Sequence, residues 1–396
     1  MLQHAQAIQE QLVKWRRAIH QYPEIGFTET RTAALVADEL RKLGLRVETG
    51  VGRTGVVGHL GSGSSCIALR ADMDALPIQE ENAAPYTSCV PGVMHACGHD
   101  AHTAILLGVA TLLAEFNQQS PLPGEVRFLF QPCEEKVDEE GKSGAMHMAN
   151  EGALEGVDMV LALHINTEHA VGDVALGEGL ISAAEDSFRV KLIGKGGHAA
   201  YPHHTVDPVF MLTQVLNAIQ GIVARRADPT KPAVVSVCSI HGGEATNVIP
   251  DSVELAGTCR SADEDTRQFL LAELEKALGV ARVLGGDYEF QIMPGQPSAH
   301  DTPAAVALVR QAATDLLGAD HIQPPKSGLG AEDFGVFVER AREGGTMFGL
   351  GVWSGEGEKR RGHSPTFDID ERALPIGAAI LAEAAVRYLR CGSTIK

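Results

Sequence analysis

The chain has no apolar run long enough to cross a bilayer; its longest, such as 104–114, falls short of the roughly 18 residues a membrane helix needs. Nor does it carry the basic excess of a polyanion binder. Asp and Glu outnumber Lys and Arg 51 to 33, for a formal charge of -18, and a field of that sign repels nucleic acid and anionic membrane surfaces. The N-terminal stretch M-L-Q-H-A-Q-A-I-Q-E lacks the basic region and hydrophobic block of a secretory signal, which predicts a cytoplasmic protein. The seven cysteines are odd in number and scattered. They read as free thiols in a reducing compartment, most of them buried small hydrophobes, and not as a disulfide framework. There is no G-x-x-x-x-G-K-[ST] loop and no G-x-G-x-x-G turn opening a helix after a strand, so a nucleotide cofactor is not expected. Internal repeats and low-complexity segments are absent as well.

What is present is a long, ordinary globular chain. With 396 residues, 44% of them hydrophobic, it can bury a large core, and its length predicts two domains or one with a large insertion. Helical patterns at 8–20, 29–43, 101–116 and 304–317 alternate with short apolar strands at 55–60, 66–70, 126–131, 159–164 and 346–351. This is an α/β plan with a mostly parallel, largely buried central sheet. From about Ser187 the order changes to strand 188–194, helix 206–225, strands 233–241 and 252–260, helix 264–278 and strand 288–293. That βαββαβ order is the ferredoxin-like plan. It predicts a satellite domain at 181–294 inserted into a catalytic domain made of 1–180 and 295–396, with hinges where Gly and Pro cluster at 177–179 and 294–297.

The richest chemistry lies in M-H-A-C-G-H-D-A-H, residues 94–102. Cys97 and His99, two apart, can place a thiolate and an imidazole on one metal centre. A second segment, F-L-F-Q-P-C-E-E, sets Glu134 and Glu135 after an apolar strand, and a metal hydrolase needs one carboxylate as ligand and another as base. Arg70 and Asp72 close one predicted strand, Glu134 and Glu135 follow another, and His164 closes a third. In open α/β sheets ligands bind beyond the carboxyl ends of strands, so these segments are expected to converge on one crevice.

The ordered motifs H-Q-Y-P-E-I-G-F (20–27), R-A-D-M-D-A-L-P (70–77), M-H-A-C-G-H-D (94–100) and Q-P-C-E-E (131–135) continue through G-K-G-G-H-A-A-Y-P-H (194–203), G-G-E-A-T-N-V-I-P-D (242–251), G-T-C-R (257–260) and G-H-S-P-T-F (362–367). In these the chain resembles, over nearly its whole length, the metallo-aminoacylases. This family of dinuclear metal amidohydrolases includes hippurate hydrolases and indole-acetyl-amino-acid hydrolases. The resemblance implies that Cys97 bridges two divalent ions, with His99, Glu135, His164 and His363 completing the ligand set. Zinc is the first expectation, and manganese, cobalt or nickel are compatible with such donors. It further implies Glu134 as general base, His198 of the inserted domain as a stabiliser of the tetrahedral oxyanion, reaching the site from a partner subunit, and Asn247 with Arg260 as the holders of a substrate carboxylate. A homo-oligomer, dimer or tetramer, through the inserted domain follows from the same resemblance. The implied reaction is hydrolysis of the amide of a small N-acyl-L-amino acid. A dipeptidase or carboxypeptidase of the same chemistry is the alternative, and a non-catalytic metal-binding protein is the reading from another class.

Blander readings stand beside these. Cys97 alone would be a buried thiol, His164 a core histidine, and Glu134 and Glu135 a solvated loop. Asp72 is read as a residue that orients ligand histidines, Asp74 as a turn former, and His95 and His102 as polar neighbours of the site. G-E-G-E-K-R-R-G (355–362) reads as a flexible, solvated loop beside His363. Cys133 stands where Ala usually precedes the paired glutamates in the family, and its thiol is expected to point away from the metals.

Overall fold

In a computed structural model, residues 1–325 and 328–391 are described, and the chain divides into two compact units. The first comprises Met1–Ile181, 300–325 and 336–391; the second comprises Ser182–Ala299 together with 328–335.

The first unit is a mixed α/β fold around an eight-stranded sheet, ordered Arg46–Val51, Gly55–Gly61, Glu125–Gln131, Cys66–Asp72, Met159–Ala170, Gly345–Trp353, Val174–Ala175, Ile322–Gln323. The four central strands, from Glu125–Gln131 to Gly345–Trp353, pair in parallel. Antiparallel pairs lie toward both edges. Every residue of Cys66–Asp72 is buried, as expected of a parallel strand covered on both faces, and this explains the apolar run 66–69 that opens it. Helices Gln9–His20, His99–Gln119, Pro303–Leu317 and Leu374–Cys391 pack with one another. The sequence reading lacks the last of these helices, because its run from Ala378 to Ala385 is buried almost all round and has no polar face to reveal a period. Among the described residues no helix is long and apolar enough to cross a membrane.

The second unit carries four antiparallel strands, ordered Ala233–His241, Ser252–Ser261, Ala184–Ile193, Asp287–Pro294, and two long helices, Pro208–Arg225 and Glu264–Leu278. Along Ala184–Ile193 buried and half-buried residues alternate, the period of a sheet with one covered face. Phe188, Val190 and Leu192 share a core with Met211, Val215 and Leu274 from the helices. The chain returns to the first unit at His300, later than the expected 295. The segment 328–335 groups with the second unit because Ala183 N donates to Gly330 O at 2.9 Å and Arg260 donates to Leu329 O at 3.0 Å.

Candidate metal centre

The first unit brings the expected metal-binding side chains together. Cys97 lies in the loop before helix His99–Gln119, and Gly98, at φ 92°, caps that helix. A Cβ at Gly98 would meet Ile165 at 2.5 Å; both the backbone conformation and the close approach require glycine there. Cys97 Sγ lies 3.5 Å from His164 Nε2. Among the groups of donor atoms that fall within 4.8 Å of one another, three combine the expected ligands: Cys97, His99 and His164; Cys97, Glu135 and His363; His99, Glu134 and Glu135. One sulfur thus belongs to two groups, the position a bridging ligand takes.

Glu135 Oε1 is 3.3 Å from His363 Nε2 and 3.9 Å from His99 Nε2, yet among the described residues Glu135 Oε1 and His99 Nε2 are buried with no well-formed hydrogen bond. Buried polar atoms are rarely left so, and a cation between them would satisfy both. The local field also draws positive charge. Burial raises the Cys97 thiol, but His164 and His99 outweigh it and bring its pKa down to about 6. Contact with Cys97, then with Glu135, pushes His363 up to about 10. A thiolate, two carboxylates and three imidazoles suit divalent transition metals.

His164 does not end its strand, as the sequence reading had it: Met159–Ala170 runs six residues further. Its pairing with Cys66–Asp72 stops at Ala162, while pairing with Gly345–Trp353 continues through His164 and beyond. The strand therefore outruns one neighbour just before His164. His363 sits at φ 58°, held by a 2.8 Å bond from its N–H to Ala96 O.

Asp74 is more than a turn former. His99 Nδ1 donates to its carbonyl at 2.9 Å and lies 3.2 Å from its carboxylate, and Glu135 N donates to the same carboxylate at 3.1 Å. With Nδ1 as donor, Nε2 is the lone-pair nitrogen turned to the other donors. Asp72 is held by Arg70 at 2.7 Å and reaches His102. Its carboxylate accepts a hydrogen bond from His102 Nδ1 at 2.6 Å, and His102 Nε2 accepts from Ile165 N at 3.0 Å. With both nitrogens engaged, His102 is a brace beside His164. Burial brings its pKa down to about 4. His95 is buried with neither ring nitrogen partnered among the described residues, and burial lowers it to about 4 as well. Cys133 is buried at φ 45°, with Sγ donating to Lys136 O at 3.4 Å, and it appears in none of the donor groups. The 355–362 loop is exposed except at Lys359, where Nζ donates to Glu168 O at 2.7 Å.

Several buried polar residues escaped the sequence reading. Glu29 accepts from Cys133 N at 2.8 Å and so supports the turn before Glu134. Arg16, His20, Glu80 and Asp100 form a buried ion cluster next to His99; the spacing R-R-x-x-H at 16–20 was its visible trace. In the second unit, Glu332 and Asp333 are buried acids of the 328–335 segment.

The second unit separates the remaining expected residues. His198 and Asn247 are exposed on paired hairpins, with Ala199 N bonded to Asn247 O at 3.1 Å. Both lie near the Ile193 and Ser252 end of the sheet. Arg260 lies toward the other end of Ser252–Ser261, eight residues along, and pairs with Glu185 at 3.2 Å. At about 3.3 Å per residue that is roughly 26 Å. Arg260 therefore lies about a strand length from Ser252, while Asn247 belongs to the loop that precedes this strand.

Residues 68–387 match the model of Peptidase family M20/M25/M40. Thermostable carboxypeptidase 1 of Saccharolobus solfataricus is 40% identical over 390 residues, covering 96% of each chain. IAA-amino acid hydrolase ILR1-like 4 of Arabidopsis thaliana is 38% identical, over 96% of this chain and 86% of that protein. The crystal structure of the Bacillus subtilis YxeP protein, described as a dinuclear metal binding peptidase from the M20 family, superposes with a TM-score of 0.82 at 32% identity over 97% and 99% of the two chains. That dinuclear relative and the donor groups sharing Cys97 together support two divalent metals. The chain belongs to the M20/M25/M40 peptidase family and is a metal-dependent amidohydrolase.

Proposed function

We propose that this hydrolase removes the acyl group from N-acyl-L-amino acids, with Cys97, His99, Glu135, His164 and His363 holding two divalent ions and Glu134 as the base. The observation that carries the reading is Glu134 within 4.8 Å of both His99 and Glu135, a second carboxylate beside the one offered to metal. When bound, the cations supply Lewis acidity, acidifying a water and polarising the amide carbonyl; zinc is the first choice, with manganese, cobalt or nickel able to use the same donors. Glu134 takes the proton of the attacking water and returns it to the leaving nitrogen. Asp74 fixes the tautomer of His99 and the backbone of Glu135. Arg260, with its planar fork, holds the substrate carboxylate. The plant relative's printed substrate, an amino-acid conjugate, supports the acyl-amino-acid class.

The second unit is read as a ferredoxin-like satellite that pairs two copies and supplies His198 and Asn247 in trans. Arg260 stands near one end of strand Ser252–Ser261, and His198 and Asn247 belong to the hairpins near its other end, which supports a reading in which two copies offer both ends to one substrate. Val209, Phe210, Val234 and Ile240 leave apolar surface on this unit for such pairing. Carboxypeptidase action is the second reading, favoured by the name of the 40%-identical relative.

The deciding experiment is amino-acid release from N-acetyl, N-benzoyl and indole-acetyl amino acids and from dipeptides by metal-loaded, chelated and Glu134→Gln protein, each confirmed folded. Turnover of the acyl conjugates that vanishes in both controls is the expected result. Turnover of dipeptides alone would replace this reading by the peptidase one.

A further inference from the structure

We propose that Arg16 is a positioning residue for the metal centre, its buried guanidinium joining the segment that carries His99 to the segment that carries His363. This rests on the reading that these two histidines hold metal. Arg16 stands on helix Gln9–His20 and is fully buried. Its Nε binds Asp100 at 3.0 Å, and its two terminal nitrogens bind Asp368 at 2.7 Å and Glu371 at 3.1 Å. Asp100 is the residue after His99. Asp368 follows His363 by five residues, across a turn closed by Phe367 N and Ser364 O at 3.0 Å.

The connection closes on itself by a second route. Asp100 also binds His20 at 2.8 Å, His20 reaches Glu80 at 3.3 Å, and Glu80 accepts from Asn82 at 3.0 Å. Asn82 in turn donates to Phe367 O at 2.8 Å, and Glu81 N to Pro365 O at 2.9 Å. A ring of charged and polar contacts therefore ties residues 99–100 to residues 365–371 from two sides. Buried ion clusters of this kind are often no more stabilising than apolar packing of the same volume. What a guanidinium adds is geometry, since its planar fork holds three carboxylates at set angles. Here those angles fix two segments whose histidines would hold the proposed ions.

The test is metal binding, which requires no substrate. Wild type, Arg16→Gln, Arg16→Lys and Asp368→Asn are titrated with zinc against a chromophoric chelator, and the cobalt-substituted proteins are compared by visible absorption. Circular dichroism of the metal-free forms checks folding. Wild type is expected to hold two ions. Arg16→Gln should weaken the ion that His363 helps to hold by about 10–100-fold, the usual cost of losing support behind a ligand, and should alter the cobalt spectrum; Arg16→Lys should restore part of both. A folded Arg16→Gln protein with two ions at wild-type affinity and an unchanged spectrum would overturn the proposal, even if its thermal stability fell. Should Arg16→Gln not fold, Asp368→Asn cuts one arm only and decides by the same two readouts. Fewer than two ions on wild type would overturn the two-metal reading itself, and this proposal with it.

Discussion

The two units treat their polar residues in opposite ways. The first buries Asp72, Asp74, His99, Asp100 and His102 and gives each a charged or hydrogen-bonding partner. The second buries charge for its own fold, as in the Arg267 fork on Asp186 at 2.7 Å for both bonds, while His198 and Asn247 stay exposed. Chemistry that depends on preset geometry is thus built where sheet and helix can hold it. The groups proposed to meet substrate by approach remain on a surface.

The contrast predicts separable losses. Glu134→Gln in the first unit is expected to lower turnover by about 10²–10⁴-fold, the range for a lost general base, with metal content unchanged; steady-state kinetics beside metal analysis checks both. His198→Ala in the second unit should lower kcat by about 10²–10³-fold, as for a lost oxyanion donor, and leave metal affinity untouched. Mixing it with Glu134→Gln subunits should restore activity, and no rescue in verified heterodimers would argue against contribution in trans. Asp74→Asn should do the reverse of His198→Ala, weakening metal binding by about 10–100-fold in a chelator competition.

A smaller effect concerns stability. Burial disfavours the His20 cation, but Asp100 and then Glu80 outweigh it and push its pKa up to about 9. A folded-state value above the ordinary 6.5 gives stability that is complete below pH 6.5 and lost as pH rises through 9. The loss is on the order of a few kcal/mol. Denaturant unfolding of chelated protein between pH 6 and 9.5 should show this slope, and His20→Gln should flatten it. Smallest of all, Cys133→Ala should leave metal stoichiometry and turnover unchanged, because its thiol engages Lys136 O.

Much of the first unit's site was legible because its signals are local. Cys97 and His99 are two residues apart, Glu134 and Glu135 are adjacent, and the sheet strands are short apolar runs. Asp74 was misread because a carboxylate after a strand looks the same whether it closes a turn or receives an imidazole 25 residues away. Arg16 was invisible for a stronger reason: its partners lie 84, 352 and 355 positions along the chain, and no periodicity reports such distances. In the second unit the strand and helix order could be read from alternation and period. That Asn247 and Arg260 occupy opposite ends of its sheet could not, because it depends on strand register.

The sulfur of Cys97 also sets how the centre ages. A thiol held toward its thiolate is the form that peroxides attack, and stepwise oxidation to a sulfinate is essentially irreversible. Since that one atom belongs to two of the donor groups, oxidation of a single residue would disturb both of them at once, and cations held as proposed would act as its protecting group.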